Sequence, residues 1–147
     1  MIKFFIFNKI INIYNIKTIK NIIKKIIYKE NKKLYKLNYI FCNNKYILEI
    51  NSKYLKKSHY TDTISFNYSN NKNIIYGDIF ISYDQVLYNS IIYKQVFDTE
   101  IKIVIIHSLL HLIGYNDIDK KYLNIMNNKQ NFYFYKYFFY KLKYNFL

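Results

Sequence analysis

Residues 101–117 read IKIVIIHSLLHLIGYND. The run is apolar on nearly every side, with Ile101, Ile103, Val104, Ile105, Ile106, Leu109, Leu110, Leu112 and Ile113, and such a segment predicts a buried helix. His107 and His111 are four residues apart. On a helix that separation is about 40° of rotation and ~6 Å of rise, so both imidazoles leave the same face. Gly114 follows three residues later, where a left-handed residue stops a helix and turns the chain back. Asp117 arrives three residues past the turn. The pattern H-x-x-x-H-x-x-G-x-x-D therefore offers three metal ligands, His107, His111 and Asp117, and leaves one coordination position open. The plainer alternative is a pair of core histidines, each satisfied by a carbonyl. Left unsatisfied, each buried ring would cost on the order of a few kcal/mol, and one cation serves both. Spacing, burial and the glycine turn together favour the metal.

Composition bounds the rest. The chain has 147 residues, 52% of them hydrophobic, enough for one core and one domain. Arg, Ala, Pro and Trp are absent, while Lys, Asn, Ile, Tyr and Phe dominate. Codons rich in A and T encode those five, so a biased genome accounts for part of the basic excess. The net charge of +14 nevertheless attracts polyanions such as RNA, or an anionic membrane surface. Cys42 is the only cysteine, so no internal disulfide forms, which fits a reducing cytoplasm. The opening MIKFFIFNKI has too short an apolar run, and no small-residue cleavage site, for a signal peptide. No stretch approaches 18 uninterrupted apolar residues, so no membrane span is expected.

Around the central helix the pattern predicts alternating elements. KFFIF at 3–7 and LYKLNYIF at 34–41 read as strands, with a helix over 16–30 between them, capped by Asn15. Its isoleucines recur at helical spacing, and Lys17, Lys20, Lys24 and Lys25 form a solvated face. A weakly patterned helix is placed over 44–55. TDTISFNY and GDIFIS read as strands joined by the polar loop SNNKN. Residues 83–95 predict a helix with Val86, Leu87, Ile91 and Ile92 inward. The histidine helix starts near a capping Asp98 or Thr99, and another helix spans 119–128. Residues 129–147 form a low-complexity aromatic-lysine extension that packs on the core or is partly disordered, rather than a base-stacking segment. The whole, 1–147, is expected to be a single α+β domain with a small mixed β-sheet packed with helices, one of them zincin-like and metal-bearing.

Zinc held by three protein groups makes a hydrolase site. A zinc peptidase would read H-E-x-x-H, with the Glu as general base. Ser108 holds that position here, so peptide hydrolysis lacks its base, and phosphodiester hydrolysis remains, with lysines balancing phosphate charge.

HSLLHLIGYND resembles the H-G-x-L-H-L-x-G-Y-D-H signature of the YbeY endoribonucleases, bacterial ribosomal-RNA maturation factors. TDTISF at 61–66 resembles that family's T-D-V-L-S-F stretch, and GDIFIS at 77–82 its G-D-I-x-I-S, in the same order. The resemblance covers about residues 50–128. It implies a zinc-dependent, single-strand-specific endoribonuclease with one Zn2+ per chain. It also implies cytoplasmic action on ribosomal RNA precursors and the small ribosomal subunit, including the 3′ end of its RNA, and a role in ribosome quality control.

By that resemblance His107 and His111 are the first two ligands, and Asp117 stands where the signature has the third histidine. Asn116 replaces an Asp and Ser108 a Gly. An anionic third ligand lowers the charge of the site, which predicts a weaker Lewis acid. Leu55 falls where the family favours a basic residue, leaving Lys56 or Lys57 as phosphate contacts without the bidentate fork of Arg. His59 is read as a surface residue before a strand, with ligation or phosphate contact as its other readings. Asp62 and Asp78 are read as carboxylates orienting an imidazole, or for Asp78 as a loop cap. Two alternatives to the enzyme are carried: a non-catalytic RNA- or ribosome-binding protein that keeps the fold, and a zinc metallopeptidase.

Overall fold

The computed structural model describes residues 1–7, 11–54 and 62–139. Leu55, Lys56, Lys57, His59 and Thr61 lie outside the described residues. The chain runs β1 (Ile2–Ile6), α1 (Ile16–Lys29), β2 (Lys33–Cys42), α2 (Asn44–Tyr54), β3 (Thr63–Asn67), β4 (Ile74–Ser82), α3 (Tyr83–Ile92), α4 (Phe97–Ile113) and α5 (Lys120–Phe134), followed by a π-helical turn, Tyr135–Phe139. β1 pairs parallel with β2, β2 parallel with β4, and β3 antiparallel with β4, so the sheet order is β1-β2-β4-β3. This is the expected α+β domain with a small mixed sheet. The parallel β1–β2 pair needs a helical crossover, which α1 supplies, whereas β3 and β4 need only a loop.

Alternation along the strands makes two cores. Leu37, Tyr39 and Phe41 of β2 and Ile75, Ile79 and Ile81 of β4 face α1 and α4 in the larger one. Ile64 of β3 joins Cys42, Ile47 and Ile50 in a smaller core under α2, against which Phe66 and Phe80 pack. α1 contributes Ile19, Ile22, Ile23, Ile26 and Ile27, all buried, each worth roughly 1.5–3 kcal/mol before its entropy cost is subtracted. Tyr39 is fully buried and its hydroxyl donates to the carbonyl of Ile105 at 3.2 Å, which ties the sheet to α4.

Several boundaries differ from the sequence reading. Asn15 precedes α1 as expected but does not cap it through its side chain. Its φ of 58° lies in the left-handed region, whereas a capping side chain works from extended backbone. α4 begins at Phe97, with Val96 in the cap position. Asp98 lies inside the first turn, where its carboxylate favours the helix dipole and pairs with Lys102 at 2.6 Å. α3 buries Val86 and Ser90 and leaves Leu87, Ile91 and Ile92 exposed. Its inward stripe runs i to i+4, so the residue after each buried one falls about 100° away, on the open side. α5 does not stop at 128 but continues to Phe134, and Tyr133 and Phe138 enter the core. The described part of the aromatic extension therefore packs on the domain. Among the described residues, no helix is long and apolar enough to cross a membrane.

Candidate active site

α4 is covered on most of its circumference by the sheet and by α1, α3 and α5. His107 and His111 are half-buried, on a stripe that stays open. The helix ends where Gly114 adopts φ 127° and ψ 2°, a backbone closed to most L side chains. The Gly114 N–H reaches the Leu110 and His111 carbonyls at 3.1 Å, and the Tyr115 N–H reaches the Leu110 carbonyl at 3.0 Å. That turn carries the Tyr115 carbonyl back over the last helical turn, where it accepts from His111 Nδ1 at 3.2 Å. From α5, Gln130 presents its Oε1 to His107 Nδ1 at 2.8 Å.

These two outer bonds fix the tautomers. A backbone carbonyl only accepts, so His111 carries its proton on Nδ1 and leaves a lone pair on Nε2. Gln130 Oε1 does the same for His107. The two Nε2 atoms lie 3.1 Å apart, with the rings at 83° to one another. Two lone pairs at that separation repel unless a cation or a proton lies between them. An imidazole pair with Nε2 converging and Nδ1–H held by oxygen acceptors is the donor arrangement a divalent metal requires. Burial, then the neighbouring His107, lower the pKa of His111, while Asp117 opposes the shift. The ring is therefore neutral, the form that ligates.

Two carboxylates accompany the pair. Asp62, just before β3, is half-buried. Its pKa is raised by desolvation, against the pull of His107 and His111. Glu100 lies on α4 seven residues before His107, two turns along the same face, and is buried. Its carboxyl is also pushed up, first by burial and then by Asp62. Asp62 is thus near the imidazoles but does not orient them as the sequence reading had it, because Gln130 and the Tyr115 carbonyl hold both Nδ1 atoms. Asp78 is not near them. It sits in β4 between Gly77 and Ile79, which face α4, and so projects from the opposite side of the sheet. There it accepts from Asn38 Nδ2 at 2.8 Å and from the Tyr68 hydroxyl at 2.9 Å. Strand alternation excludes it from orienting an imidazole.

Asp117 is exposed in the turn after α4. Among the described residues, no group of three or more His, Cys, Asp and Glu side chains is gathered closely enough to hold a metal. Asn116 uses its side-chain oxygen to accept from the Ile118 N–H at 3.3 Å. Ser108 is fully buried, its hydroxyl donating to the Ile105 carbonyl at 3.0 Å, so it has no part in proton transfer at the histidines. Sequence reasoning missed Gln130, Tyr115 and Glu100. Gln130 carries no spacing signal, because it meets His107 by folding, and Tyr115 acts through its backbone carbonyl, which no residue type marks. Glu100 did carry one: positions 100, 107 and 111 share a helical face.

A mixed-sheet α+β domain that opens an imidazole pair beside two desolvated carboxylates has the groups a hydrolase uses. Comparison with known proteins narrows the class. The family model described as endoribonuclease YbeY matches residues 6–137. An endoribonuclease YbeY of Karelsulcia muelleri is 48% identical over 119 residues, spanning 81% of this chain and 82% of that protein. One from Flavobacterium psychrophilum is 41% identical over 111 residues, 76% of this chain and 79% of that one. A Thermotoga maritima protein solved in solution superposes with a TM-score of 0.69 at 25% identity, covering 99% of this chain and 93% of that one. The chain belongs to the endoribonuclease YbeY family. The hydrolase is accordingly one that acts on RNA phosphodiester bonds, and the metallopeptidase reading falls.

Proposed function

We propose that the chain is a zinc-dependent, single-strand-specific endoribonuclease that matures ribosomal RNA in the cytoplasm. Its substrate is the precursor of ribosomal RNA, including the 3′ end of the small-subunit RNA. It works on or near the small subunit and takes part in ribosome quality control. Family membership supports the RNA substrate. The charge of +14 supports a polyanionic partner. The observation that carries the metal is the 3.1 Å approach of two Nε2 atoms whose opposite nitrogens are both engaged by oxygen.

His107 and His111 would hold one Zn2+ through Nε2, with Asp117, the exposed acidic group past the glycine turn, as third ligand. Bound there, zinc supplies Lewis-acid chemistry for attack on a phosphodiester. The chain's own groups do the rest. Gln130 and the Tyr115 carbonyl keep both rings in one tautomer. Asp62, whose carboxyl is held above its ordinary range beside the imidazoles, would take the proton of the attacking water and give it to the leaving oxygen of the cut phosphodiester. Lys56 and Lys57 contact phosphate.

Elemental analysis of purified protein beside an RNA-cleavage assay tests the reading. Wild type should bind one zinc and cut single-stranded RNA, and His111→Ala should do neither. Asp117→Asn should weaken zinc binding without unfolding the chain. A second reading, a non-catalytic ribosome- or RNA-binding protein, draws on the exposure of Asp117. RNA binding that survives with no cleavage under any divalent metal would select it.

A further inference from the structure

Glu30 ends α1, outside the site, yet its carboxylate reaches both elements that hold the imidazoles. Its Oε2 accepts from the Tyr115 hydroxyl at 3.0 Å. Its Oε1 accepts from the Tyr133 hydroxyl at 2.5 Å and lies 3.4 Å from Lys129 Nζ. These partners are 85, 103 and 99 residues away along the chain. Tyr115 is the residue whose carbonyl holds His111. Lys129 and Tyr133 flank Gln130, which holds His107, within one turn of α5. From these contacts we infer that Glu30 is the positioning residue of the metal centre: one carboxylate fixes the outer hydrogen-bond partners of both histidines.

The inference rests on the zinc reading above. Past Gly114 the chain is tied to α4 by backbone bonds to Leu110 and His111, and the Tyr115 side chain adds an anchor outside that turn. Holding the Tyr115 ring holds its backbone, and therefore the carbonyl on His111. Likewise, fixing the turn of α5 at 129–133 fixes the reach of Gln130. The two phenols carry most of this. The Lys129 ammonium is 41% exposed, and an exposed ion pair contributes little. The Glu30 side chain is only 11% exposed, so its bonds to the phenols are shielded from water.

The test compares full-length wild type with Glu30→Gln, Tyr115→Phe and Tyr133→Phe. Ile26→Val, a buried α1 substitution one turn before Glu30 that leaves the carboxylate in place, is the control. Zinc affinity is read by competition with a chromogenic chelator. The visible absorption of the cobalt-loaded protein reports ligand geometry, which a purely structural role would leave unchanged. Glu30→Gln should weaken zinc about 10–100-fold and alter the cobalt bands, with smaller losses in each Tyr→Phe variant. Ile26→Val should lower the melting temperature alone. Wild-type zinc affinity and cobalt bands in Glu30→Gln would overturn the inference, as would an equal zinc loss in Ile26→Val. If Glu30→Gln does not fold, Tyr115→Phe decides by the same criteria. A wild type that takes up no zinc defeats the metal reading itself, and this one with it.

Discussion

His107 and Gln130 lie on different helices and meet at 2.8 Å between Nδ1 and Oε1. The contact makes α5 part of the site as well as a cover for the core. It also sets the direction of His107 Nε2, the atom turned toward His111.

Replacing Gln130 with Leu keeps the volume and removes the acceptor. Zinc affinity should fall about 10–100-fold, as it does when outer hydrogen-bond partners of metal-bound imidazoles are lost. Melting temperature should change little, because Gln130 is only half-buried. Chelator competition and thermal denaturation check the two halves of that expectation.

The chain has two glycines, and they should fail for different reasons. A Cβ on Gly77 would run into the Phe66 carbonyl oxygen, with Leu112 Cδ1 at 3.1 Å behind it. Gly77→Ala should cost about 1–3 kcal/mol by overpacking between β3, β4 and α4. A Cβ on Gly114 meets nothing within 4 Å, but its φ of 127° penalises any side chain. Gly114→Ala should also cost about 1–3 kcal/mol, here through backbone strain. It alone should weaken metal binding, since it displaces the Tyr115 carbonyl. Urea denaturation and zinc titration of both variants distinguish the mechanisms.

Glu100 gives a pH dependence. Its folded-state pKa is raised above the unfolded value of about 4.5 by burial and by Asp62. The folded chain therefore keeps a proton that the unfolded chain has released, and stability falls as pH rises from about 4.5 through the raised value. Glu100→Gln removes that loss. In metal-free protein it should raise the melting temperature at pH 7 relative to wild type. At about pH 3 or below, where both states are protonated, it should change little. Melting curves across that range check the sign, and a variant less stable than wild type at pH 7 contradicts it.

Tyr39→Phe probes the tie between sheet and α4. The lost bond to the Ile105 carbonyl should cost about 0.5–1.5 kcal/mol. Zinc affinity should not move, because the hydroxyl does not touch either histidine.

The sequence by itself determined α4, its glycine stop and the shared face of His107 and His111, because a helix's period and its end are local properties. The same logic located the strands in TDTISF and GDIFIS and gave the α+β class. It failed where a side chain's role depends on a distant neighbour. Asp78 looked equivalent to Asp62 along the chain, yet the strand turns it to the other face of the sheet, against Asn38 and Tyr68. Leu87 and Ile91 looked inward, but only one narrow side of α3 meets the domain. The order β1-β2-β4-β3, the approach of Gln130 to His107 and the grip of Glu30 on Tyr115 and Tyr133 were decided by tertiary structure alone. Periodicity states which residues share a face. What that face meets depends on contacts between residues far apart in the chain, and no local pattern encodes them.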